Sequence, residues 1–245
     1  MLLVDLDLLA AVAEAVWEVN MNPFKHTSIV LKHLRAKSSE VVLFYSGGKD
    51  SLVLLDLLAP HFDKIYCVFM YFVPDLQHIE PHLTWINRYP NAELIRLPHW
   101  MTGYYMKNGY YSFHRPNDKL KAFKQVDVEN KAKELTGCEW IVFGHKQADS
   151  MNRRLMLRGY TFDAINEKNK KVYPLSLWKK DQVKQYINLK RIIKPIAYGG
   201  KNSNGLDLNI DVFLYLRKNY PNDLEQIFKV FPLSQQILFE YDYNK

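Results

Sequence analysis

Four short runs of apolar and β-prone residues punctuate the chain: Val41–Tyr45, Ile65–Tyr71, Glu93–Leu97 and Trp140–Phe143. Uninterrupted runs of this length predict strands buried on both faces, as in a parallel sheet. Between them the period changes. Leu52, Leu55 and Leu58 fall on one helical face, and Leu8, Val12, Val16 and Val19 mark an amphipathic helix over residues 3–20. Asn20-Met21-Asn22-Pro23 stops that helix, and Thr27 or Ser28 caps a second one running to Leu34. These two helices cover a sheet edge or a dimer surface. Further helices are expected over Ile79–Tyr89, with Pro81 in its first turn, Val126–Thr136 closed by Gly137, Met151–Arg158, Lys179–Leu189, 211–218 and 222–240. Residues 163–170 read as a polar turn before a short strand at Lys171–Tyr173. Strands alternating with helices predict an α/β fold with a parallel sheet.

Residues 98–124 break both periods. His99, Trp100, Tyr104, Tyr105, Tyr110, Tyr111, Phe113 and His114 alternate there with Lys107, Arg115, Lys119, Lys121 and Lys124. The stretch reads either as an irregular packed loop or as a surface for a base-and-phosphate ligand, including single-stranded nucleic acid. Tyr198–Gly205 reads as a flexible loop. The pattern divides the chain into N-terminal helices (1–39), an α/β domain (40–190) and a C-terminal loop and helical extension (191–245).

Composition adds limits. Hydrophobic residues make up 48% of the 245, enough for one large core, and the net charge is +7. A basic surface suits nucleotides, sulfate-like anions or nucleic acid without choosing among them. The two cysteines, Cys67 and Cys138, are too few for a disulfide framework and are expected in the core. Without a basic signal start or an apolar run of membrane-spanning length, a soluble cytoplasmic protein is expected, with no membrane partner.

The chemistry concentrates after the first strand, in Ser46-Gly47-Gly48-Lys49-Asp50-Ser51. Two glycines admit backbone angles closed to other residues, and they leave room for an approaching ligand. Successive N–H groups and the following helix N-terminus form an anion nest, and Lys49 adds a full charge. Such a turn suits a pyrophosphate or triphosphate. A Walker A loop would need Ser or Thr after Gly-Gly-Lys, where Asp50 stands, and a dinucleotide fingerprint would need a further glycine where Leu52 and Val53 stand. A second strand–loop–helix unit carries Gly144, His145, Lys146, Asp149, Arg153, Arg154 and Arg158. Arg154 and Arg158 share a helix face, as an anion clamp or as a solvated basic surface. By the strand-end rule for open α/β sheets, an adenine or ribose belongs at Met70–Asp75, and Phe69, Met70, Tyr71 and Gly144 are its candidate contacts.

Ser46–Ser51 after a strand resembles the PP-loop of the ATP pyrophosphatases. With Gly144–Arg158 and Pro174-Leu175-Ser176-Leu177-Trp178 followed by Val183 and Tyr186-Ile187, the chain resembles the phosphoadenosine phosphosulfate (PAPS) reductase-like family of the adenine nucleotide α-hydrolase-like superfamily. Gly144-His145 with Asp149 is also similar to the second motif of PP-loop enzymes that modify tRNA. The resemblance implies a Rossmann-like sheet flanked by helices and an adenine nucleotide, ATP or PAPS. In ATP-using members a substrate oxygen is adenylylated and pyrophosphate leaves, with Mg²⁺ bridging phosphates. On that basis Ser46, Gly47, Gly48, Lys49, Asp50 and Ser51 would hold phosphates. Lys49, Asp50 and Asp149 would be the catalytic groups, Asp50 the metal ligand, and His145, Arg153, Arg154 and Arg158 the contacts to the anion or acceptor. The family's reductases use a cysteine in a Glu-Cys-Gly pattern. No cysteine follows Cys138 here, so reduction is not expected. A nucleotide- or nucleic-acid-binding module without turnover is the reading from another class.

Overall fold

A computed structural model describes residues 22–198 and 207–244. The helix expected over 3–20 and the loop expected over 199–205 lie outside the described residues. Helix α1 (Pro23–Arg35) starts earlier than the sequence suggested. Asn22 caps it, its Oδ1 accepting from Phe24 N at 2.9 Å, and Pro23 is its first residue. Then come β1 (Glu40–Phe44), α2 (Lys49–Leu58), β2 (Lys64–Tyr71), α3 (Glu80–Thr84) and β3 (Ala92–Pro98). The second half holds α4 (Trp100–Asn108), α5 (Gln125–Thr136), β4 (Ile141–Val142), α6 (Met151–Arg158), β5 (Ile165–Asn166), β6 (Lys171–Val172) and α7 (Lys180–Lys190). Helices α8 (Ile210–Asn219), α9 (Pro221–Val230) and α10 (Gln236–Tyr243) follow.

The sheet is ordered β3-β2-β1-β4-β6-β5, and every pairing is parallel except β5 with β6. It is the parallel α/β sheet that the strand pattern predicts, in the Rossmann-like arrangement that the resemblance implies, extended by β5, which the polar 163–170 segment concealed. Strand β1 is central and buried on both faces. Val41 and Leu43 join a cluster with Leu52, Leu55 and Leu58 of α2 and Leu31 and Leu34 of α1, while Val42 and Phe44 pack with Val128 and Ala132 of α5. The Pro174–Trp178 segment and α7 belong to the first cluster. Trp178 is fully buried, its Nε1 donating to Thr27 Oγ1 at 2.9 Å, and Val183, Tyr186 and Ile187 close over α2. That stretch therefore acts in this fold as packing.

Three further expectations needed correction. The helix expected over Ile79–Tyr89 is one α-turn between 3₁₀ turns at Gln77–Ile79 and Trp85–Arg88. The 222–240 helix is split at Phe231-Pro232, because proline lacks the N–H that a continuing helix needs. Residues 100–108 are helical, so the aromatic stretch is not wholly irregular. Helices α8–α10 build a third cluster around Val212, Phe213, Leu216, Leu224 and Ile227, which takes in Val73 and Leu76 from the loop after β2 and Tyr198. Among the described residues no helix is long and apolar enough to cross a membrane.

Candidate functional site

Strand order reverses at β1, whose neighbours β2 and β4 receive the chain from opposite directions. The carboxyl ends of such strands frame the ligand crevice of open α/β sheets. At the end of β1, Gly47 takes φ +68°, and Gly48 is the N-cap of α2. Ser51 locks the bend: its Oγ donates to Gly48 O at 3.0 Å and accepts from Ser46 N at 3.2 Å. Ser46 Oγ accepts from Gly48 N at 3.3 Å. The first-turn N–H groups of α2 have no carbonyl of their own helix to bond, so they face outward as donors.

Beside this bend lies a cavity of about 430 Å³, within the range of small-ligand sites. Phe44–Gly48 form one wall, Val68–Leu76 from the end of β2 another, and Ile79, His82, Arg96, His99, Ile196 and Tyr198 the rest. Of the residues singled out in the sequence, Ser46, Gly47, Gly48, Phe69, Met70 and Tyr71 thus come together around one space. The sequence marks Arg96 only as a strand residue, and His99 only as the start of the aromatic and basic 98–124 stretch. They sit in and just after β3, whose end contributes to the crevice, a position that only the sheet order reveals. Arg96 is held by Glu80 through two contacts of 2.7 and 2.9 Å. His99 stacks on Phe72 at 4.3 Å between ring centres, and its Nδ1 accepts from Met101 N.

The other singled-out residues form a row of alternating charge on the β4 side. Lys49 Nζ lies 3.0 Å from Asp50 Oδ2, and Lys146 Nζ lies 2.8 Å from Asp50 Oδ1 and 3.1 Å from Asp149 Oδ1. Arg153 ends the row, 2.9 Å from Asp149 Oδ2. Lys146 is the hub, its side chain only 2% exposed. Nothing in the residue pattern marks this lysine as buried among less buried neighbours. Lys146 N also donates to Asp149 Oδ2 at 2.9 Å. Burial opposes ionisation of Asp149, but this hydrogen bond and the Lys146 and Arg153 charges outweigh it and hold the carboxyl below its ordinary range. Gly144 does not line the cavity. A Cβ there would come within 2.9 Å of Asp50 Cβ, so its bare backbone is what lets the β4 loop close against α2. Arg154 and Arg158 are exposed on α6 and do not line the cavity.

His145 clusters with Phe143 and Tyr173, at 5.5 and 5.7 Å between ring centres. Burial, reinforced by the Arg153 and Lys146 charges, lowers its pKa to about 4. Burial alone lowers His99 to about 4. An unfolded chain titrates these imidazoles near the ordinary 6.5, so between the two values it binds more protons than the folded chain. Stability is therefore fully present above pH 6.5 and is lost as the pH falls towards 4. Urea unfolding at about pH 7 and about pH 4.5 should show the decline, and His145→Gln should flatten it. A parallel slope in that variant would count against His145.

Both thiols are buried. Burial pushes the Cys67 and Cys138 pKa values up, away from the thiolate. Among the described residues no group of three His, Cys, Asp or Glu side chains is placed to hold a metal. In the 98–124 segment, Tyr105 packs on Phe231 and Tyr111, while Tyr104, Tyr110 and Phe113 are exposed.

A family model described as the phosphoadenosine phosphosulfate reductase domain matches residues 40–196. No curated protein matches the chain. Similar solved structures include the U34-tRNA thiolase NcsA from Methanococcus maripaludis with its [4Fe-4S] cluster, 14% identical over 81% of this chain and 71% of that one, with a TM-score of 0.43. Another is the NH3-dependent NAD synthetase from Campylobacter jejuni subsp. jejuni in complex with the nitrate ion, 13% identical over 91% and 96%, with a TM-score of 0.44.

Proposed function

The chain belongs to the phosphoadenosine phosphosulfate reductase domain family, and from that premise we propose that its cavity binds an adenine nucleotide. The terminal phosphates rest on the Ser46–Ser51 bend, and the base and ribose lie against Phe69, Met70 and Tyr71. The observation that carries this reading is the bend itself: a left-handed glycine, an N-cap without a side chain and outward first-turn N–H groups, opening on a cavity of matching size.

The reaction we favour is adenylylation. An acceptor oxygen attacks the α-phosphorus of ATP, the bond to the bridging α–β oxygen breaks, and pyrophosphate leaves with that electron pair. Lys49 offsets the charge building on the leaving group, and the outward N–H groups hold its oxygens in place. A divalent ion such as Mg²⁺ usually travels with phosphates and needs only one or two carboxylates. Asp50 is the nearest candidate, with Asp149 behind it, although both Asp50 oxygens now face lysines. Binding of PAPS is the second reading, favoured by Arg96 at the cavity wall, since a guanidinium suits a further phosphate or sulfate. Reduction is disfavoured on either reading, because both thiols are buried and held protonated.

Calorimetric titration with ATP and with PAPS separates the two ligands, and Lys49→Ala should weaken the preferred one at least about tenfold, as loss of a charged contact implies. With ATP, Mg²⁺ and hydroxyl or carboxylate acceptors, pyrophosphate is the expected product. Orthophosphate instead would place the cleavage at the wrong bond.

A further inference from the structure

The far wall of the cavity hides a buried hydrogen-bonded chain that runs from Tyr198 through His78 to Asp223. Tyr198 Oη lies 2.8 Å from His78 Nε2, and His78 Nδ1 lies 2.7 Å from Asp223 Oδ2. His78 and Asp223 are sealed from solvent, at 0% and 2% side-chain exposure. Asp223 also accepts the backbone N–H groups of Gln77 and His78, at 2.9 and 2.8 Å. Tyr198 and Asp223 lie beyond the part of the chain that the family model matches.

The direction of each hydrogen bond follows from this count. A carboxylate accepts only, and Asp223 faces three nitrogens, so His78 Nδ1 carries its proton. Burial lowers the His78 pKa despite the neighbouring carboxylate, which keeps the ring neutral, with a lone pair on Nε2. Tyr198 must then donate its only hydroxyl hydrogen to Nε2. What remains on its oxygen is acceptor capacity, and among the described residues no donor uses it. Tyr198 lines the cavity.

We propose that Tyr198 is a specificity-determining residue that presents a fixed hydrogen-bond acceptor to the nucleotide, reading an N–H or O–H donor such as the exocyclic amine or a ribose hydroxyl and excluding a phosphate or sulfate oxygen from the same point. His78 and Asp223 are positioning residues, which act by fixing which way the Tyr198 hydroxyl points. The inference rests on the adenine-nucleotide reading above and extends it, since a phenol free to rotate would accept either kind of ligand group.

The test titrates wild type and Tyr198→Phe with ATP and with three analogues, lacking the 6-amino group, the 2′-hydroxyl or the 3′-hydroxyl. One analogue should bind wild type on the order of tenfold more weakly than ATP, and should match ATP on Tyr198→Phe, as removal of a single hydrogen bond implies. Retention of every wild-type preference by Tyr198→Phe overturns the inference alone. Wild type that binds no adenine nucleotide overturns the functional reading and this inference with it. Nitrogen NMR of the wild-type protein gives a readout independent of ligand and variant: His78 Nε2 should be unprotonated and Nδ1 protonated. The opposite tautomer would turn the Tyr198 hydrogen into the cavity and overturn the proposal.

Discussion

Lys146→Met is expected to destabilise the protein by about 3 kcal/mol, the lower end of what removing one partner of a buried ion pair costs. The reason is charge, not volume. Methionine fills most of the lysine's space, but Asp50 and Asp149 lose the cation between them. Each keeps one partner, Lys49 or Arg153, and each is partly solvated, at 22% and 24% side-chain exposure, which holds the cost near that lower end. Arg153→Gln, at the exposed end of the same row, should cost under about 1 kcal/mol, as surface pairs do. The interpretation turns on a compensation. Combining Lys146→Met with Asp50→Asn and Asp149→Asn removes the two carboxylates that lost their shared cation and should recover most of the loss. Urea unfolding of the set decides it: a triple variant no more stable than Lys146→Met would show that the lysine matters for packing.

How far the sequence speaks depends on how many faces of an element the core touches. Strand β1 is legible because both its faces are buried, so every residue from Val41 to Phe44 is apolar. Helix α4 is not, because Thr102 is its only buried residue and no apolar stripe forms. Its cap is unusual too, a histidine whose Nδ1 accepts from Met101 N, and its interior Gly103 makes room for the Phe123 ring. Strand β5 is two residues long, with only Ile165 to mark it. Pro23 suits the first turn of a helix, but only the capping hydrogen bond at Asn22 shows that α1 starts there.

The same logic divides the site. The glycine bend proposed to hold phosphates is local chemistry, written in the six adjacent residues Ser46–Ser51. The Tyr198–His78–Asp223 chain joins residues 120 and 145 positions apart, so no motif spacing announces it. The row on the β4 side is intermediate. His145, Lys146, Asp149 and Arg153 are visible as a polar loop and helix start, but the sequence does not say that Lys146 alone turns inward to Asp50.

Gly47→Ala is expected to cost about 2–3 kcal/mol, divided between stability and nucleotide affinity in a way that reports what the loop does. A left-handed backbone costs an L-residue about 1–2 kcal/mol. The new Cβ would also stand 3.2 Å from His82 Cβ, and His82 is held by its Nε2 contact with Lys194 O at 2.9 Å, so the neighbour cannot simply swing away. Crowding of that kind typically adds about 1 kcal/mol or more. If the loop keeps its angle, the folded state bears the whole cost and nucleotide affinity is retained. If the loop instead relaxes to negative φ, stability is spared and the bound form must restore the angle. At about 1.4 kcal/mol per factor of ten, affinity then falls some thirtyfold or more. Gly137 supplies the control, since it has φ +69° with nothing within 4 Å of an added Cβ. Gly137→Ala should show the backbone cost alone, with nucleotide affinity untouched. Denaturant unfolding and calorimetry on both variants give the two sums. Wild-type stability together with wild-type affinity in Gly47→Ala would mean that the bend does not need its left-handed glycine, and the phosphate cradle would have to be sought elsewhere.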